Sequence, residues 1–144
     1  MKINFTKKQF GLLVDLLYLG EWTANSTKNH DERNAEYDAL FQYVSTFAKD
    51  FGYDHAIEYD NKLEGYYPTQ QFEESFEPII KHHDNEIFWS QLVGRLAKRD
   101  LEETGETFAT PEDYLRRLFE LEEKYEEEFE QNGIKNIRIS DNHL

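Results

Sequence analysis

The chain has 144 residues, of which 38% are hydrophobic, 15% aromatic and 32% charged, and its formal net charge is −14. That length suits one domain with a buried core, spanning 1–144, and the aromatic content argues for a packed interior rather than a disordered chain. So large an excess of carboxylates disfavours direct binding to nucleic acid or to an anionic membrane surface, and the absence of cysteine removes disulfides and thiolate metal sites.

Residues 2–5, Lys-Ile-Asn-Phe, alternate polar and apolar and predict a short strand. Thr6 followed by Gln9 is a capping-box pattern, which starts a first helix over Lys7 to Asn25. Its apolar run, Phe10 to Leu19, is interrupted by Asp15 and is about half the ~20 residues a membrane span needs. No small-residue cleavage site follows it, so it reads as a buried core helix of a cytoplasmic protein. A polar stretch from Asn25 to Asp31 predicts a loop. A second helix is expected from Glu32 to Phe51, with Asp31 as its cap and Tyr37, Leu40, Phe41, Val44, Phe47, Ala48 and Phe51 along one face. Gly52 stands where a C-terminal cap belongs.

Residues 53–68, ending in Tyr66-Tyr67-Pro68, lack periodicity and read as the longest irregular segment, the kind of loop that often carries function. A third helix carries Phe72, Phe76, Ile79, Ile80 and His83 on one face; it either kinks at Pro78 or begins at Ser75. A fourth is expected from Asn85 to Glu103, capped by Asp84, with Phe88, Leu92 and Leu96 on one stripe and Trp89, Val93 and Ala97 beside it. The fifth has the clearest start: Thr110 as cap, Pro111 in the first turn, then Glu112 and Asp113. Tyr114, Leu118, Leu121, Tyr125 and Phe129 face inward until Asn132-Gly133. Residues 134–139 alternate again and predict a second strand, which could pair with the first. The expected fold is therefore mainly α, about five helices in an orthogonal bundle, with a two-stranded pairing of the termini if the ends meet.

Four groups of residues could carry chemistry. Glu120, Glu122, Glu123, Glu126, Glu127 and Glu130 crowd the second half of the last helix, where like charges at four-residue spacing cost a few tenths of a kcal/mol each and oppose the helix dipole. Such a face either binds a basic protein surface, in the extreme as a mimic of nucleic-acid phosphates, or serves only solubility. His30-Asp31 and His82-His83-Asp84 resemble, over two residues, the ligand pairs of HD-type metal phosphohydrolases, which would imply a small metal-dependent hydrolase. As helix caps beside half-buried histidines the same residues need no metal. Arg95, Lys98 and Arg99 form a basic patch suited to pairing with acidic residues of the last helix. Asp15, inside the apolar run, is a candidate general acid or base, or an acceptor for a neighbouring Tyr or Asn; Glu21 and Trp22 follow it.

No Gly-rich phosphate loop, Walker lysine, zincin pair or nucleophile elbow is present, so no catalytic, cofactor-binding or metal residue is assigned. The segment from Asp84 to Asp100, Asp-Asn-Glu-Ile-Phe-Trp-Ser-Gln-Leu-Val-Gly-Arg-Leu-Ala-Lys-Arg-Asp, and the earlier Leu-Tyr-Leu-Gly-Glu-Trp22 resemble small acidic bacterial and phage-borne proteins of uncharacterised function. That resemblance implies a bacterial or phage cytoplasmic origin and no particular activity. The leading expectation is a non-enzymatic interaction protein with a basic protein partner, no cofactor and no direct contact with nucleic acid or membrane.

Overall fold

A computed structural model describes residues 3–138. Among them are four α-helices and one small antiparallel sheet: α1 (Lys7–Asn25), α2 (Ala35–Ser45), β1 (Ile57–Asp60), β2 (Gly65–Pro68), α3 (Gln70–Thr104) and α4 (Pro111–Asn132). The mainly helical class is as expected, with four helices rather than five. By their internal contacts the residues fall into two compact units, Met1–Pro78 and Ile79–Leu144.

In the first unit, α1 starts where its capping box places it. The Thr6 hydroxyl accepts from the Gln9 amide at 3.2 Å, and the Gln9 side chain accepts from the Thr6 amide at 2.9 Å. Phe10, Gly11 and Val14 are buried, whereas Leu12 and Leu16 are exposed, so α1 is covered on one side and not all round. Phe10 stacks on Phe51 with ring centroids 4.3 Å apart and meets Tyr53 edge-on at 6.2 Å. Gly11 is required here for space: a Cβ would lie 2.8 Å from the Tyr53 ring.

The second helix begins later than Asp31 predicts. His30–Glu32 form a single 3-10 turn capped by Asn29, Arg33 is extended, and Asn34 caps α2 by accepting from the Glu36 amide at 3.1 Å. Asp31 is thus not a cap. Its place is taken by Asn34 because the Asn34 amide is itself held by the buried Asn25 side chain, 2.8 Å away. The helix also ends early, at Ser45: beyond it the amides of Phe47 and Ala48 bond three residues back, in tighter turns. The turn closes at Gly52, whose φ of +70° suits a residue without a side chain. The buried seam of α2 and this turn is Phe41, Ser45 and Ala48, while Tyr37, Leu40 and Phe47 of the predicted stripe are exposed.

Residues 53–68 are not wholly irregular. All but their first four residues form a β-hairpin, with Tyr59 opposite Tyr66 and Glu58 opposite Tyr67. The hairpin loop is turned by Asp60, whose carboxylate accepts from the amides of Lys62 and Leu63 at 2.7 and 3.1 Å. Gln42 fastens β2 to α2 with two bonds of 2.8 Å to the backbone of Tyr66.

The third and fourth predicted helices are one helix, α3, running unbroken from Gln70 through Pro78 to Thr104. Asp84 is therefore an interior residue and not a cap. An interior proline costs one backbone bond and a clash with the preceding turn, and α3 carries that cost without ending.

In the second unit, Ala97, Leu101 and Leu118 form a core against which Phe108, Leu121 and Tyr125 pack. In this unit the buried stripe of α3 is Val93, Ala97 and Leu101, which includes the predicted Val93 and Ala97; of the predicted Phe88–Leu92–Leu96 face, Phe88 is exposed and Leu92 and Leu96 are half-buried. α4 matches its sequence signals. Thr110 accepts from the Asp113 amide at 3.1 Å, Pro111 occupies the first turn, and Gly133 ends the helix with φ +57°. The predicted terminal strands do not form among the described residues: 3–5 are irregular and 133–138 are turn and coil. Lys2 and Ile139, the outer residues of those two segments, lie outside the described residues.

Candidate functional site

Two places concentrate exposed chemistry, one in each unit. The first is the outer surface of α4. Spacings of three and four residues align Glu112, Leu115, Phe119, Glu123, Glu126 and Glu130 along one face of the helix. Phe119 is 60% exposed and Leu115 45%, and together with Glu112, Glu120 and Glu123 they border a shallow depression. Farther along, Glu126 and Glu130 border a groove of about 310 Å³ floored by Trp89, Val93 and Phe129.

The six glutamates named from sequence are not equivalent. Glu123, Glu126, Glu127 and Glu130 are exposed. Glu120 is exposed and held by Arg117 at 2.9 Å, which also reaches Glu106 at 3.5 Å. Glu122 is half-buried beside α3, with an oxygen 3.6 Å from where a side chain on Gly94 would begin. The exposed set thus lies on the outer face, and Glu122 on the inner flank.

The second place is a cleft of about 500 Å³ in the first unit. Tyr18 and Glu21 of α1 supply one wall, Asp38 and Phe41 of α2 another, and Tyr66 and Tyr67 of β2 a third. His30 and Arg33 stand at the 3-10 turn, and Glu73 enters from the first turn of α3. One side is braced by a connected polar set. The Asn25 side chain donates to Glu21 at 2.9 Å and accepts from the Asn34 amide, and Arg33 pairs with Glu21 at 2.6 Å. The Tyr18 ring leans on Phe72 and Phe76. Its hydroxyl is pushed above its ordinary pKa, first by burial, then by the carboxylates of Glu73, Glu21 and Glu77.

The remaining candidates are structural. Asp15 accepts from the Tyr53 hydroxyl at 3.3 Å. Burial and the Asp15 carboxylate raise the Tyr53 hydroxyl above its usual pKa. His82 and His83 are not half-buried, with side chains 77% and 62% exposed; they stand 3.9 Å from Glu86 and 3.6 Å from Asp84, too far for a hydrogen bond. Among the described residues no three His, Asp or Glu side chains are grouped to hold a metal ion, so a metal hydrolase finds no donor set there. Arg99 bonds Asp100 of its own helix at 2.6 Å and the Tyr125 hydroxyl at 3.3 Å, rather than an acidic residue of α4. Tyr125 in turn donates to Asp100.

Tyr18, Asp38 and Glu73 were not singled out in the sequence, because they are far apart in the chain and only the fold brings them together. Tyr66, Tyr67 and Pro68 were flagged by their position in the aperiodic segment. Leu115 and Phe119 gave no signal, since one apolar residue beside a helix stripe is ordinary. Among the described residues no helix is long and apolar enough to cross a membrane. Comparison with protein-family models, curated proteins and solved structures finds no match to the chain.

Proposed function

We propose that this is a non-enzymatic interaction protein that binds a basic protein surface through the outer face of α4. The observation that carries the reading is the pair of exposed apolar residues, Leu115 and Phe119, set in line with Glu112, Glu123, Glu126 and Glu130. Phe119 is the most exposed phenylalanine among the described residues and stands in the middle of the acidic row. Burying such a ring contributes about 1.5–3 kcal/mol, and the surrounding carboxylates supply steering and selection for a positively charged partner. The partner is a protein that presents Lys and Arg around an apolar pocket. In the extreme form it is a nucleic-acid-binding enzyme whose basic cleft α4 occupies.

The test is capture from lysate of a bacterial host across a salt series, with two variants run in parallel. A partner of the proposed kind is shed as salt rises. Replacing Glu120, Glu123, Glu126, Glu127 and Glu130 by Gln flattens that salt dependence. Phe119→Ala weakens capture at every salt concentration by roughly tenfold or more, the loss expected for an interface anchor. A partner indifferent to both variants overturns the reading.

A further inference from the structure

The cleft of the first unit has the chemistry of a cation site. Its walls carry three carboxylates, Glu21, Asp38 and Glu73, and one guanidinium, Arg33. Glu21 is already committed to Arg33 and Asn25. Asp38 and Glu73, in the first turns of α2 and α3, have no ion-pair partner among the described residues, so neither carboxylate is matched by a cationic side chain. Three tyrosines, Tyr18, Tyr66 and Tyr67, line the same space, and ring faces attract cations. About 500 Å³ is enough for a small molecule or one long side chain, and falls within the usual range of ligand pockets.

We infer that this cleft binds an organic cation, an ammonium or guanidinium group on an aliphatic stem, with the charge held by Asp38 and Glu73 and the stem against the tyrosine rings. The wall that braces the site is pre-formed: Gln42 pins the backbone of Tyr66, and Asn25 ties Glu21 to the start of α2. Binding therefore does not have to order β2, which limits the entropic cost. The Tyr18 hydroxyl is raised first by its burial, with the cleft carboxylates Glu73 and Glu21 adding to the effect. A metal ion fits less well, because the free carboxylates are not grouped with a third donor among the described residues. The inference does not depend on α4, which lies in the other unit.

The chemistry has two sources, a free small amine or a Lys or Arg side chain of another protein, and the experiment separates them. Agmatine serves as the free-amine probe and N-acetyl-arginine methylamide as the side-chain probe, with n-butanol and butyrate as uncharged and anionic controls. Each is titrated into the full chain above the histidine titration range while NMR follows the Tyr18, Tyr66 and Tyr67 ring signals. Both cations should give saturable shifts there and both controls none. Tighter agmatine binding assigns a free amine; tighter binding of the arginine amide assigns a protein side chain. The double variant Asp38→Asn, Glu73→Gln should weaken binding by about tenfold or more. Both side chains are exposed and each adds only a small first-turn contribution to its helix dipole, so the far-UV circular dichroism should be unchanged. The glutamine variant of α4 should leave agmatine binding intact. No saturable shift, equal binding of n-butanol, or unchanged affinity in the double variant overturns the inference. So does loss of binding in the α4 variant, which would mean a diffuse response to acidity.

Discussion

The two units differ in where their best-defined polar groups stand. In Met1–Pro78 one polar set turns inward on itself: Asn25, only 3% exposed, joins Glu21 to the start of α2, and Arg33 closes the set. In Ile79–Leu144 the core is smaller, built on Ala97, Leu101 and Leu118, and the carboxylates of α4 stand mostly outside it. The first arrangement builds a cleft with fixed walls, the second a surface. Overall acidity therefore says little about function until each carboxylate is assigned a neighbour.

The largest expected effect lies in the first core. Phe10→Ala removes a ring that stacks on Phe51 and meets Tyr53, and should cost about 3–5 kcal/mol. Trp22 lies in the first unit and Trp89 in the second. Denaturant unfolding followed in Trp89→Phe and Trp22→Phe backgrounds should show the loss at Trp22. An unchanged Trp22 transition would break the description of that core.

A middle-sized effect is expected at Asn25→Ala, about 1–3 kcal/mol, because the Asn34 amide loses its acceptor while remaining partly buried. If stability falls by less than a few tenths of a kcal/mol, the inward polar set of the first unit does not contribute as described.

The smallest effect sharpens the second unit. Asp100 is held below its ordinary carboxylate pKa, chiefly by the hydrogen bond from Tyr125, with Arg99 adding to it and burial opposing it. A folded-state value below the unfolded one means the pair contributes stability above the ordinary carboxylate range. That contribution is lost as pH falls from there through the depressed value. Tyr125→Phe should move the Asp100 carboxyl titration upward, as read by carbon-13 NMR. A titration that stays put would show that Tyr125 is not its main partner.

Elements legible in the sequence were those whose limits are set by neighbours in the chain. Thr6 with Gln9 fixes the start of α1, and Thr110 with Asp113 and Gly133 with Phe129 fix the two ends of α4, through bonds spanning three or four residues. Asp84 and Asp31 carry the same capping chemistry and cap nothing. At Asp84 helix propagation from both sides outweighs the cap, since ending α3 there would forfeit a turn of backbone bonds. At the start of α2 a contact from Asn25, nine residues away, selects Asn34. The hairpin escaped detection because its strands have four residues each, too short for a period-two pattern to stand out. The outer glutamates of α4 could be named from sequence, but not the exposure of Phe119 among them.

By itself the sequence determined the helical class, the acidic character and the two helices bounded by local caps, because each follows from composition or from contacts a few residues apart. The merging of the two middle helices, the buried seams of α1 and α2, and the cleft that joins Tyr18, Asp38, Tyr67 and Glu73 were decided only in three dimensions. Packing chooses which face of a helix is covered and which distant side chains meet, and no local pattern encodes either choice.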